Sequence, residues 1–134
     1  MTKKELKRYF RIFDANLNRC REGLRVIEDS ARFVLAKNSI YKSARNLRHK
    51  LDSVTRDIYP ELLKQRDSVA DSGRKIKEGK RNNLEAVLAA NFRRAEESLR
   101  VLEEYSRIVK PQAGREIKNL RFAVYTIEKK LLQK

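Results

Sequence analysis

Apolar residues recur at three- and four-residue spacing through almost the whole chain, and no stretch alternates apolar and polar as a half-buried strand does. The pattern predicts a first helix from about Leu6 to Leu35, ending near Lys37 and Asn38, where Asn can cap. Ser39 is the expected N-cap of a second helix that runs to about Tyr59 and is closed by Pro60. A short helical turn around Glu61–Lys64 leads into "KQRDSVADSGRKIKEGKRNN" at 64–83, the least periodic and most polar segment, which reads as a loop. A third helix is expected from about Asn83 to Lys110, stopped at Pro111, and a fourth from about Ala113 to Leu132.

The pattern also repeats. "DANLNRCREGLRVIEDSARFV" (14–34) laid over "AANFRRAEESLRVLEEYSRIV" (89–109) agrees at 10 of 21 positions without a gap. The return helices echo each other too, "NLRHKL" at 46–51 against "NLRFAV" at 119–124. A long helix plus its return helix is therefore the repeated unit. The expected architecture is a single all-α domain, an antiparallel four-helix arrangement built from two duplicated hairpins with pseudo-twofold symmetry. Repeat one would span about 6–59, the central loop about 64–83 and repeat two about 83–132.

Six of the ten shared residues are polar or charged: Asn16/Asn91, Arg19/Arg94, Glu22/Glu97, Arg25/Arg100, Glu28/Glu103 and Arg32/Arg107. At roughly 100° per residue, Leu17, Cys20, Leu24, Ile27, Ala31 and Val34 share one stripe, and Val26 and Phe33 widen it. Asn16 and Arg19 fall within that apolar surface, as do Asn91 and Arg94. Glu22, Arg25, Asp29 and Arg32 face water, and Glu28 lies near the boundary. An inward Arg must find an acceptor or leave a costly unpaired charge. Two inward Asn-x-x-Arg pairs thus suggest a pocket for an anion, with internal hydrogen-bonded pairs as the plainer reading. The water-facing charges equally describe surface ion pairs. The copies differ at Asp14/Ala89, Arg11/Ala86, Gly23/Ser98 and His49/Phe122, so one half is free to carry a role the other lacks.

Charge sharpens this picture. The 33 Lys and Arg exceed the 18 Asp and Glu by 15, a field that gathers nucleic acid, anionic lipid or phosphorylated small molecules. The central loop holds Arg66, Asp67, Asp71 and Gly73, and two carboxylates four residues apart suit Mg²⁺ completed by phosphate oxygens. No P-loop, dinucleotide-binding or zinc-protease motif is present. With one Cys and one His, zinc sites and Cys–His nucleophiles are poorly supported. The start has no signal-peptide character and no apolar run approaches a bilayer span, so a cytoplasmic protein without membrane contact is expected.

"RIFDANLNRCREGLRVIEDSARFV", "NLRHKL", "RDSVADSG" and "AANFRRAEESLRVLEEYSR", in that order, resemble the monofunctional hydroxymethylpyrimidine-phosphate kinases, a small family found alone or fused to thiamine-phosphate synthase. The resemblance covers nearly the whole chain, and the chain's end after the fourth helix suggests the standalone form. It implies phosphorylation of 4-amino-5-hydroxymethyl-2-methylpyrimidine phosphate to the diphosphate with ATP and Mg²⁺. Thiamine-phosphate synthase would be the pathway neighbour. On this reading Asp67 and Asp71 hold Mg²⁺, Arg66 stabilises the transferring phosphoryl, and Asn16, Arg19, Asn91 and Arg94 bind anionic groups. Asp14, Glu22 and Glu28 are candidates for reading the aminopyrimidine, with Glu97 as the second copy of Glu22. A homo-oligomer is left open. The alternative is a basic helical nucleic-acid-binding protein. Its acids and bases are interspersed, however, and no nucleic-acid motif is present.

Overall fold

The computed structural model describes residues 1–133, and within them every regular element is helical. Helix α1 spans Lys3–Asp29, three residues earlier than the periodicity suggested, because the Thr2 hydroxyl accepts from the Glu5 N–H and caps the first turn. Its buried stripe is Phe13, Leu17, Cys20, Leu24 and Ile27, spaced by three and four residues. The chain continues as one π-helical turn, Ser30–Val34. The extra residue in that turn rotates the end of the helix off the stripe, so Phe33 and Val34 are exposed (70% and 66%) instead of extending the apolar face. Ala36 then takes a left-handed conformation (φ 52°), and the Lys37 N–H reaches back to the Ala31 carbonyl at 2.8 Å, reversing the chain.

Helix α2 spans Asn38–Thr55 and lacks a side-chain cap, so Ser39 lies inside the helix and does not start it. Pro60 likewise does not close α2. A 3₁₀ turn at Arg56–Ile58 passes into a short helix α3, Tyr59–Gln65, whose first turn accepts the proline because its N–H needs no partner there. The loop from 66 to 83 contains a 3₁₀ turn at Ser72–Lys75. Asn83 caps helix α4, Leu84–Val109, and a 3₁₀ turn at Pro111–Ala113 leads into helix α5, Gly114–Leu132.

Helix α4 buries Leu88, Phe92, Ala95, Leu99 and Leu102 against the stripe of α1. Each such large side chain contributes about 1.5–3 kcal/mol when fully buried. The two long helices run in opposite senses: the Tyr9 ring sits 5.9 Å from that of Tyr105, and Arg94 lies 3.7 Å from Glu22. Their crossing is close at Gly23, where a Cβ would stand 3.0 Å from the Asn91 carbonyl oxygen. That approach is why Gly occupies a helix interior here. Helices α2 and α5 pack back on α1 and α4 respectively and also touch one another, which closes the bundle.

Each hairpin carries the same internal strut. Arg48 of α2 grips Glu28 of α1 through two hydrogen bonds (2.6 and 3.0 Å), and Arg121 of α5 donates to Glu103 of α4 at 2.9 Å. Glu28 and Glu103 are 1% and 6% exposed. The glutamate and the return-helix arginine common to the two segments are therefore partners in both halves.

Candidate functional site: two depressions along one stretch of α1

The retained asparagines turn their amides to their own helices. Asn16 donates to the Ile12 carbonyl at 2.9 Å and Asn91 to the Val87 carbonyl at 2.8 Å. The helical wheel is corrected at the arginines: Arg19 and Arg94 are exposed, not inward, because their long stems carry the guanidinium out past the α1–α4 crossing. Arg19 still donates to Asn16 Oδ1 at 3.3 Å. Together with Arg81, Arg93 and Glu97 these residues line an open depression of about 430 Å³ between α1 and α4. Asn91 lies outside its lining. The repeat does not single out Arg81 or Arg93, since Arg93 stands where the first copy has Asn18 and Arg81 precedes the second copy.

Asp14, Arg66, Asp67 and Asp71 meet on the neighbouring face of the same helix, whereas Glu22 lines neither depression and lies 3.7 Å from Arg94. Arg66 at the start of the loop forms a two-pronged ion pair with Asp14 (Nε to Oδ2 and Nη2 to Oδ1, both 2.8 Å). The Asp14 hydrogen bonds, and the Tyr59 hydroxyl beyond them, raise the Arg66 pKa above its already high ordinary value, so it stays charged. This clamp lays the loop across α1 and forms a depression of about 170 Å³ lined by Arg11, Asp14, Asn18, Arg66, Asp67 and Asp71. The Asp14/Ala89 difference between the repeats thus has a physical use: only the first half can anchor the loop. Two expectations change. Asp14 is engaged by Arg66, and Glu28 is enclosed by Arg48, so neither carboxylate is free to read a pyrimidine.

Asp67 and Asp71 shape the loop through one oxygen each, Asp67 accepting from the Ala70 N–H (3.0 Å) and Asp71 from the Gly73 N–H (2.8 Å). The second oxygen of each has no hydrogen-bond or ion-pair partner among the described residues. Among those residues no three of His, Cys, Asp and Glu gather as metal ligands. A preformed zinc or calcium cage is therefore absent from them, whereas the donor set suits Mg²⁺, which keeps its waters and takes one or two carboxylates plus phosphate oxygens. Cys20 is enclosed, and burial pushes its thiol up to about 12, so it is an inert core residue. His49 is exposed on α2, away from both depressions.

The fold and these depressions define an all-helical bundle protein with an arginine-lined and a carboxylate-lined depression along one stretch of α1. The chain belongs to the ThiD2 family, which it matches over residues 11–130. It is similar to proteins named thiamine-phosphate synthase. It is 42% identical to that of Nostoc punctiforme over 126 residues, which cover 92% of this chain and 35% of the relative. The Synechocystis protein is 42% identical over 91% of this chain and 36% of its own length. The Thermosynechococcus vestitus protein is 39% identical over 95% and 36%. The chain thus spans about a third of these curated relatives. No solved structure matches it. No described helix is long and apolar enough to cross a membrane.

Proposed function

We propose that this chain acts in thiamine biosynthesis as a kinase, phosphorylating 4-amino-5-hydroxymethyl-2-methylpyrimidine phosphate to the diphosphate with ATP and Mg²⁺. The observation that carries the reading is the Asp14–Arg66 clamp, which lays two carboxylates of an otherwise exposed loop along the stretch of α1 that also borders a depression lined by four arginines. Phosphoryl transfer needs little covalent chemistry from the protein; it needs charge neutralisation and alignment. Arg19, Arg81, Arg93 and Arg94 bind the triphosphate, where guanidinium forks match phosphate oxygens. Asp67 and Asp71 hold Mg²⁺, which when bound neutralises charge on the phosphate oxygens.

A phosphate oxygen of the pyrimidine substrate then forms a bond to the γ-phosphorus. The bond from that phosphorus to the β–γ bridging oxygen breaks, and ADP leaves with the electron pair. The nucleophile is already an anion, so no general base is required. Arg66 orders the loop through Asp14 and stabilises the transferring phosphoryl. Family membership and the names of the relatives support the pathway, and the net charge of +15 supports an anionic substrate.

ATP turnover measured with the pyrimidine monophosphate, beside the unphosphorylated alcohol, tests the reading. Turnover confined to the monophosphate, and reduced at least a hundredfold in an Asp67→Ala/Asp71→Ala double variant, is expected. No turnover of the monophosphate by folded wild-type protein with Mg²⁺ would overturn the kinase. Full activity in the double variant would move the metal elsewhere.

A further inference from the structure

The two halves share a framework, so the places where they differ in chemistry are informative. One difference lies beyond both depressions, on the third face of α1. In half one, Arg21 of α1 meets Asp52 of α2 (2.9 Å), with Thr55 one turn further along. In half two the equivalent of Arg21 is Glu96, and the equivalents of Asp52 and Thr55 are Tyr125 and Glu128. There the carboxyls of Glu96 and Glu128 stand close together between α4 and α5, and the buried Glu96 Oε2 has no hydrogen-bond partner among the described residues. In half one the same place is an open groove of about 560 Å³.

The groove has a defined chemistry. Its floor is Leu17 (1% exposed), one wall is the Tyr59 ring at the head of α3, and its polar groups are Arg21, Asp52 and the exposed Arg56. The Arg21 Nε atom is buried and makes an ion-pair contact with Asp52 that lacks hydrogen-bond geometry, so this donor remains unsatisfied inside the protein. The Arg21–Asp52 pair ties α1 to α2, and it leaves Asp52 Oδ2 and the Arg56 guanidinium without a hydrogen-bond or ion-pair partner among the described residues. A planar ring that presents an amino edge and bears an anionic arm would use all of them. The volume falls within the range of small-ligand sites, about 300–1,000 Å³.

We propose that this groove is the binding site for the heterocycle of the acceptor substrate. Tyr59 covers the ring face, Asp52 accepts from the amino edge, and Arg21 and Arg56 hold the phosphate arm. The inference rests on the kinase reading for the identity of the ligand and adds to it the place and the residues. Tyr59 joins the groove to the loop depression, because its hydroxyl lies near enough to Arg66 to raise its pKa, and Arg66 in turn clamps Asp14. Acceptor, loop carboxylates and arginine cluster thus occupy successive faces of α1, with the reacting phosphates in the middle. Discrimination for the amino group is the consequence: Arg21 holds Asp52 Oδ1, and a ring without the amino group leaves Oδ2 unpartnered.

Titration calorimetry on the full chain with the pyrimidine monophosphate, and with its des-amino analogue, tests this. Wild-type protein is expected to prefer the amino ring at least tenfold, and Asp52→Asn to bring the two ligands within about twofold. Arg56→Gln, at an exposed site where folding is not at stake, is expected to weaken the monophosphate at least fivefold. It should leave the free alcohol and ADP unchanged. If the monophosphate binds wild-type protein but both variants keep its Kd and the amino preference, the groove assignment fails while the kinase stands. If wild-type protein neither binds nor turns over the monophosphate, both fail together.

Discussion

The two hairpins use the same strut and put it to different ends. Glu28–Arg48 and Glu103–Arg121 are equivalent pairs, yet Glu28 depends on Arg48 alone, whereas Glu103 also has Arg100 within 3.5 Å. Half one then adds the Asp14–Arg66 clamp and the Arg21–Asp52 groove, while half two fills the second place with Glu96 and Glu128. The shared framework supplies a stable bundle, and differences at a few positions give one half a candidate site that the other lacks. Retained polar residues need not be functional: some are kept because both halves need the same strut.

The comparison breaks most severely at that strut. Arg48→Ala leaves Glu28 as an enclosed, unpaired carboxylate, and a loss of about 3 kcal/mol is expected in urea unfolding. Arg121→Ala should cost visibly less, because Arg100 remains to Glu103. Equal losses would show that the two struts are equivalent after all. Next comes the crossing of the halves. Gly23→Ala sets a Cβ against the Asn91 carbonyl and is expected to cost about 1–3 kcal/mol through displaced helices. An unchanged unfolding midpoint would mean the helices separate freely.

A smaller effect sharpens the divergence at Glu96. Burial, reinforced by the Glu128 carboxyl, raises its pKa to about 8 from an ordinary 4.5. The folded state therefore holds a proton that the unfolded chain releases. The associated stability is complete below about pH 4.5 and is lost as pH rises through about 8. Glu96→Gln should remove this loss, so the variant's stability relative to wild type should rise from pH 5 to pH 9 in thermal unfolding. Parallel wild-type and variant curves across that range would refute it. The smallest expected change lies at the turn joining α1 to α2. Ala36→Gly relieves a left-handed alanine and should stabilise by about 0.5–1 kcal/mol, less if the unfolded chain gains freedom.

Sequence periodicity by itself determined the helical class, the long helices to within a few residues at most of their ends, the repeat and the polar loop, because these depend on neighbours along the chain. It missed the π turn after Asp29, and with it the exposure of Phe33 and Val34, since one inserted residue per turn leaves no compositional mark. The residues of the candidate site were largely legible as types: Asp14, Arg66, Asp67 and Asp71 stand out in the sequence and do assemble. Their partnerships were not. Whether a polar side chain is strut, clamp or free depends on what stands opposite it, and Asp14 and Arg66 are 52 residues apart. Only tertiary packing decided that Glu28 is enclosed, that Arg19 and Arg94 reach the surface, and that Arg21 and Asp52 frame a groove. The reason is physical: helix formation is local, whereas satisfying a charge requires a partner that the fold brings from elsewhere.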